Sequence, residues 1–175
     1  MTVIEHIEVT AASQASITFS SIPTDGTYTD LLVVASFRGT RSSVFNMIGI
    51  EFNGSSSNLT SGILQGDGAS ISSFSQTDID DAASTGNTAT TNAYGSTQFY
   101  ILNYAGSTAK SVSIDSVSEN NGTTAYQTLT AGLWNDTSAI NEVRLFVRAG
   151  FNILQYSSAT LFGITAGSDG TTTVS

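Results

Sequence analysis

Apolar residues recur in this chain at every second position, and almost nowhere at the three-to-four spacing of a helix. Val3, Ile7 and Val9 alternate with Ile4, His6 and Glu8. Ile17 and Phe19 share one face, Ile48, Ile50 and Phe52 another, and Val112 and Ile114 oppose Ser113 and Asp115. Leu129, Ala131 and Leu133 fall on one side of TAYQTLTAGLW, and Val143, Leu145 and Val147 oppose Arg144, Phe146 and Arg148. A period of two is the signature of a half-buried strand. Turn residues separate the runs, as in PTDGT around Asp25-Gly26 and in FNG at 52–54. The pattern predicts an all-β fold: a single-domain β-sandwich, jelly-roll-like, of about eight to ten antiparallel strands.

Residues 53–96 interrupt the rhythm. They are rich in Ser, Thr, Gly and Asn, with scattered apolar residues such as Leu59, Ile63, Leu64, Ile71 and Phe74. A structureless excursion of that length is uncommon in a compact domain. Short strands are expected near 62–66 and 70–75, with a flexible tip near 83–93. Residues 1–166 read as the sandwich, with 53–96 as a long interaction loop, and 167–175 as a flexible tail.

Two segments break the one-sided rule. In LLVVASF, Leu31, Val33, Ala35 and Phe37 form one face and Leu32, Val34 and Ser36 the other. FYILNY is similarly apolar on both sides. Burying one further Leu or Val is worth roughly 1.5–3 kcal/mol, so a second face left wet is costly and prone to aggregation. Cover is expected from the 53–96 segment, a sister subunit or a larger assembly.

The five basic residues bear on the same point. Arg38 and Arg41 follow LLVVASF directly, and Arg144 and Arg148 share a face with Phe146. Among fourteen acids, each Arg is expected to meet a carboxylate, in an internal salt bridge, or to sit at a solvated strand end. The alternative is a partner contact, for which Arg38, Arg41, Arg144, Phe146 and Arg148 are the candidates, since Arg and aromatics are favoured at interface hot spots. Trp134 reads as a lid on the core.

Composition removes several functional classes. A net charge of -9 disfavours nucleic acid and anionic membranes as partners. The absence of cysteine excludes thiol catalysis and thiolate metal sites. His6 is the sole histidine, and no nucleophile motif accompanies it as a catalytic base would require. The acidic cluster Asp78 to Asp81 departs from the EF-hand pattern, because Ala83 stands where the turn glycine belongs. Neither an enzyme activity nor a cofactor is expected. No basic, apolar leader opens the chain, so synthesis in a cytoplasm is the expectation.

SITFSSIP followed by YTDLLVVASFRGTR, IGIEFNG, GLWNDTSAINEVRLFV and QYSSATLFGI together resemble a family of small β-rich structural proteins of tailed bacteriophages. The resemblance lies in order and spacing, from about Ile17 to Ile164. The first turn, PTDGTYTD, is longer here than in that pattern. The resemblance implies a virion protein made in the host bacterial cytoplasm, with a capsid decoration (cement) protein on the head as the first reading. The major capsid protein would be its partner and a homo-oligomer, guessed as a trimer, its working form. It supplies no catalytic residue. A tail-fibre or receptor-binding role is the alternative, in which Trp134, Tyr94 and Tyr126, with Tyr100 and Tyr156, would stack on sugars.

Overall fold

β-branched and aromatic residues in alternation favour extended backbone, and short polar turns reverse it. Asp25 shows how the turns close: its carboxylate accepts from the Thr27 hydroxyl at 2.6 Å and the Thr27 N–H at 3.0 Å. Asp67 does the same with the N–H groups of Ser70 and Ala69, at 2.6 and 2.8 Å. These bonds favour the ionised carboxyls and hold both below the usual aspartate value.

The computed structural model describes residues 1–119, 121 and 125–165, so the expected tail at 167–175 lies outside the described residues. Within them the chain forms fourteen strands. These are β1 (Thr2–Glu8), β2 (Ser13–Gln14), β3 (Ser16–Phe19), β4 (Asp30–Phe37), β5 (Phe45–Phe52), β6 (Leu59–Gly66) and β7 (Ile71–Gln76) in the first half. The second half contributes β8 (Ala82–Thr85), β9 (Gly95–Ile101), β10 (Lys110–Glu119), β11 (Ala125–Trp134), β12 (Val143–Val147), β13 (Ile153–Leu154) and β14 (Ser158–Ile164). The all-β expectation holds; the extra strands are short ones in segments without apolar alternation.

An eight-stranded sheet runs in the order β1-β14-β4-β9-β10-β11-β6-β7, and a four-stranded sheet in the order β3-β12-β5-β8. β13 and β2 pair separately. All strand pairs are antiparallel. One apolar cluster joins the two large sheets. Ile17, Phe19, Ile50, Phe52 and Leu145 enter it from the small sheet, and Leu31, Val33, Phe99, Ile101 and Leu161 from the large one.

The 53–96 segment does not fold over the outer face of β4. It lengthens the large sheet by β6 and β7 and then supplies β8 to the small sheet. Strands at 59–66 and 71–76 match the expectation. The expected flexible tip is corrected in part: Ala82, Ala83, Ser84 and Thr85 are all buried. Their small side chains let β8 lie close against the large sheet. A Cβ on Gly95 would stand only 2.9 Å from the Ser84 Cα.

That close approach sets the character of the core beneath β8. β8 is an edge strand, and hydroxyls of the large sheet satisfy its backbone. Ala83 N–H donates to Ser116 and Thr128, and the Thr97 hydroxyl donates to Ala83 C=O at 3.2 Å. β11 is accordingly inverted from a simple hydrophobic reading. Thr128 and Thr130 face the core, and Leu129 and Leu133 face out.

Candidate functional site

The strand register places Val34, Gln98, Asp115, Leu129 and Leu64 side by side, in that order, across the outer face of the large sheet. The next row towards the far end of β11 holds Ser113, Ala131, Gly62 and Ser75. The row beyond holds Ser111, Leu133 and Thr60. Small residues thus run between two rows that carry leucines, and the sheet surface is recessed there. The recess is a groove of about 880 Å³. Nothing lies within 4 Å of where a Gly62 Cβ would project.

The groove is weakly charged and partly greasy. Leu64 and Leu129 are each 45% exposed, Leu133 40% and Val34 37%. Asp115 is the only ionisable side chain among its lining residues, and the Gln127 amide reaches it at 3.4 Å. None of the five basic residues lines it. At the β1 end of the face, His6 Nδ1 and the Thr160 hydroxyl are 2.7 Å apart. The outer face of LLVVASF is therefore open in the isolated chain: Leu32 is half-buried and Val34 exposed. Among the described residues the 53–96 segment supplies no cover there, which leaves a sister subunit or a larger assembly from the expected sources.

The Arg residues singled out from the sequence lie elsewhere. Arg38 is buried and meets no carboxylate among the described residues; it donates to four backbone carbonyls, those of Thr90, Ala93, Asn87 and Ala89, at 2.6, 3.1, 2.9 and 3.0 Å. It organises the loop after β8, and Asn121 fastens the same loop by accepting from the Thr90 N–H and donating to Thr88 C=O. Arg41 is exposed and has no ion pair among the described residues.

Arg144, Phe146 and Arg148 come together on the outer side of the small sheet, as their alternation predicts. Arg144 pairs with Glu51 at 2.5 Å and lies over the Phe146 ring, 5.1 Å from its centroid. The ring fills the space above Gly49, where a Cβ would be 2.4 Å away. Arg148 pairs with Asp80 at 3.3 Å and with Asp81. Burial pushes Asp80 up to about 6; Arg148 opposes the shift, and the Asp81 and Asp78 charges add to it. The internal partners expected for these two Arg residues are present.

The aromatic residues of the sugar-binding alternative do not converge. Trp134 is buried at one end of β11 against Phe52, with ring centroids 5.4 Å apart. Tyr126 lies eight residues away on the same strand, about 27 Å along it, and packs on Phe45. Tyr94 donates to the Gln155 carbonyl and Tyr100 to Asp30. Lys110, the only lysine, is buried beside Trp134 and donates to the carbonyls of Thr108 and Asp136. Its desolvation lowers its pKa from the ordinary lysine value, with Asp136 opposing.

The leucine-edged groove was not legible beforehand. Alternation groups Leu129, Ala131 and Leu133, but the apolar side of a strand is ordinarily its core side. The available signal was the Ser/Thr spacing on the opposite side of β10 and β11. Comparison with known protein families, curated proteins and solved structures gives no match for this chain.

Proposed function

We propose that the protein is a non-enzymatic virion component of the capsid-decoration type, which docks on its shell through the outer face of the large sheet. One observation carries the reading. Leu64, Leu129 and Leu133 stand exposed around a groove that lacks cationic side chains, while Arg144 and Arg148 are engaged internally. Contiguous exposed leucines mark interaction surfaces in soluble proteins, and the fully buried centre of an interface is more apolar and poorer in charge than the surface around it. The sequence resemblance to phage structural proteins supports the shell, and within it the major capsid protein, as partner. Repetition over the shell turns weak single contacts into firm attachment.

The test is co-sedimentation of the full chain with purified phage heads, alongside Gly62→Tyr. Tyrosine at 62 has open space to occupy, so it fills the groove without disturbing the core. The expected result is saturable binding by the wild type, a loss of about tenfold or more in the variant, and a higher temperature of DNA release from decorated heads. Binding confined to tails, no binding to heads, or equal binding by Gly62→Tyr overturns the reading.

A further inference from the structure

The large sheet ends in two unlike edges. β1 carries Glu5, His6 and Glu8, and its register with β14 slips between Val3 and Glu5. Charges and a bulge on an edge strand deter pairing with another chain. β7 reads ISSFSQ, with no charge and no proline, and its register with β6 is unbroken from Ser61–Gln76 to Gly66–Ile71. Ile71 is 78% exposed. Among the described residues no strand lies beyond β7 in the sheet.

The hairpin determines which groups face outward. Asp67 N–H donates to Ser70 C=O at 3.2 Å, so this pair is a hydrogen-bonded one in the register that continues into β6 and β7. Antiparallel ladders alternate bonded and non-bonded pairs. Ser72, Phe74 and Gln76 therefore aim their backbone groups at β6. Ile71, Ser73 and Ser75 aim theirs at the free edge.

We propose that this edge pairs with β7 of a second copy, antiparallel, about a two-fold axis at Ser73. Opposed residues in an antiparallel pair share a sheet face, so opposed positions must have the same parity. Centring on Ser73 sets Ser73 against Ser73 of the second copy, and Ile71 against Ser75 in both directions. All three pairs then join edge-facing residues, and each such pair exchanges two N–H···O bonds. Every outward N–H and C=O of the three residues is met. This self-complementarity selects a second copy over a foreign strand: one uncharged sequence supplies both halves, and the opposed side chains place no like charges together. The contact is one strand wide, so the association is weak and reversible. Each chain has a net charge of -9, so added salt tightens it. The pairing is independent of the docking role above, although it would turn both grooves to the same side.

Sedimentation velocity of the full chain, from about 10 μM to about 1 mM, tests the pairing without any shell. Ser73→Pro removes an N–H that faces away from β6, a position at which an edge strand accepts proline. Ser75→Lys places a charge on each side of the contact. The expected result is a mass rising towards twice that of one chain, with the dimer weakened about tenfold or more in both variants. Amide exchange at Ile71, Ser73 and Ser75 slows with concentration, whereas that of Ser72, Phe74 and Gln76 does not change. A monomer throughout, a trimer, or a dimer equally strong in Ser75→Lys overturns the proposal. Concentration-independent exchange at Ile71, Ser73 and Ser75 in the wild type does so even if Ser73→Pro fails to fold.

Discussion

The hydroxyls of Ser116 and Thr128 face each other across β10 and β11, and both accept the N–H of Ala83, at 2.7 and 3.1 Å. A strand of one sheet is thereby bonded through side chains of the other. Ser84 donates to Phe37 C=O at 3.0 Å, and the Thr85 and Ser118 hydroxyls are 3.1 Å apart. Ser116→Ala leaves Thr128 to hold Ala83 and is expected to cost about 1 kcal/mol. Adding Thr128→Val strands a buried N–H, and the pair is expected to cost about 3 kcal/mol, more than the singles combined. Urea unfolding of the two singles and the double measures this; strict additivity would show that the hydroxyls act independently.

The same close approach makes Gly95 sensitive to the smallest addition. A Cβ there meets the Ser84 Cα at 2.9 Å and the Val117 carbonyl at 3.2 Å, both backbone atoms that cannot rotate away. Gly95→Ala is expected to lose about 1–3 kcal/mol. Gly62→Ala, which meets nothing within 4 Å, is expected to stay within about 0.5 kcal/mol of the parent or gain slightly from reduced chain entropy. Equal effects at the two glycines in thermal unfolding would remove the steric account.

These contacts explain what the sequence could and could not convey. Alternation states which residues share a face; hydrophobicity is needed to say which face is inside. For Val143, Leu145 and Val147 the two agree, and all three are buried. They also agree for Val112 and Ile114. Along the same strand they then part: Ser116 and Ser118 are buried and Val117 is exposed, because an edge strand needs hydroxyls beneath it. Ala82 to Thr85 gave no apolar signal at all, since closeness of backbones, not hydrocarbon, puts them inside. Arg38 was legible as a charge needing partners, but nothing local indicated carbonyls of a loop some fifty positions away. The groove depends on four strands in register, β10, β11, β6 and β7, an arrangement that no single segment encodes.

Arg38 offers a direct measure of loop order. Its planar fork reaches four carbonyls from Asn87 to Ala93, which an ammonium on a flexible stem cannot match. Arg38→Lys is expected to cost about 2 kcal/mol and to speed proteolytic cleavage between 87 and 93 severalfold, with no change in cleavage elsewhere. If cleavage there is unchanged, the guanidinium does not hold the loop.

Asp80 gives the fold an unusual dependence on pH. Its carboxyl sits at about 6 in the folded chain, chiefly because burial disfavours the charge, against 3.8 as the ordinary value. Between those values the folded state holds a proton that the unfolded state has released, so stability falls as pH rises from about 4 to about 6. Asp25, Asp67 and Asp136 are shifted the other way by hydrogen bonds to their carboxylates, and their contribution is lost only as pH falls through and below the ordinary aspartate value. The two windows are therefore separable. Asp80→Asn cannot ionise, and Arg148 keeps Asp81 as its partner. Relative to the wild type, the variant is expected to gain about 1–3 kcal/mol between pH 4 and pH 7, read as a difference in Tm of about 3 °C or more. If the variant instead loses stability relative to the wild type as pH rises, attraction to Arg148 outweighs burial at Asp80 and the shift has the opposite sign.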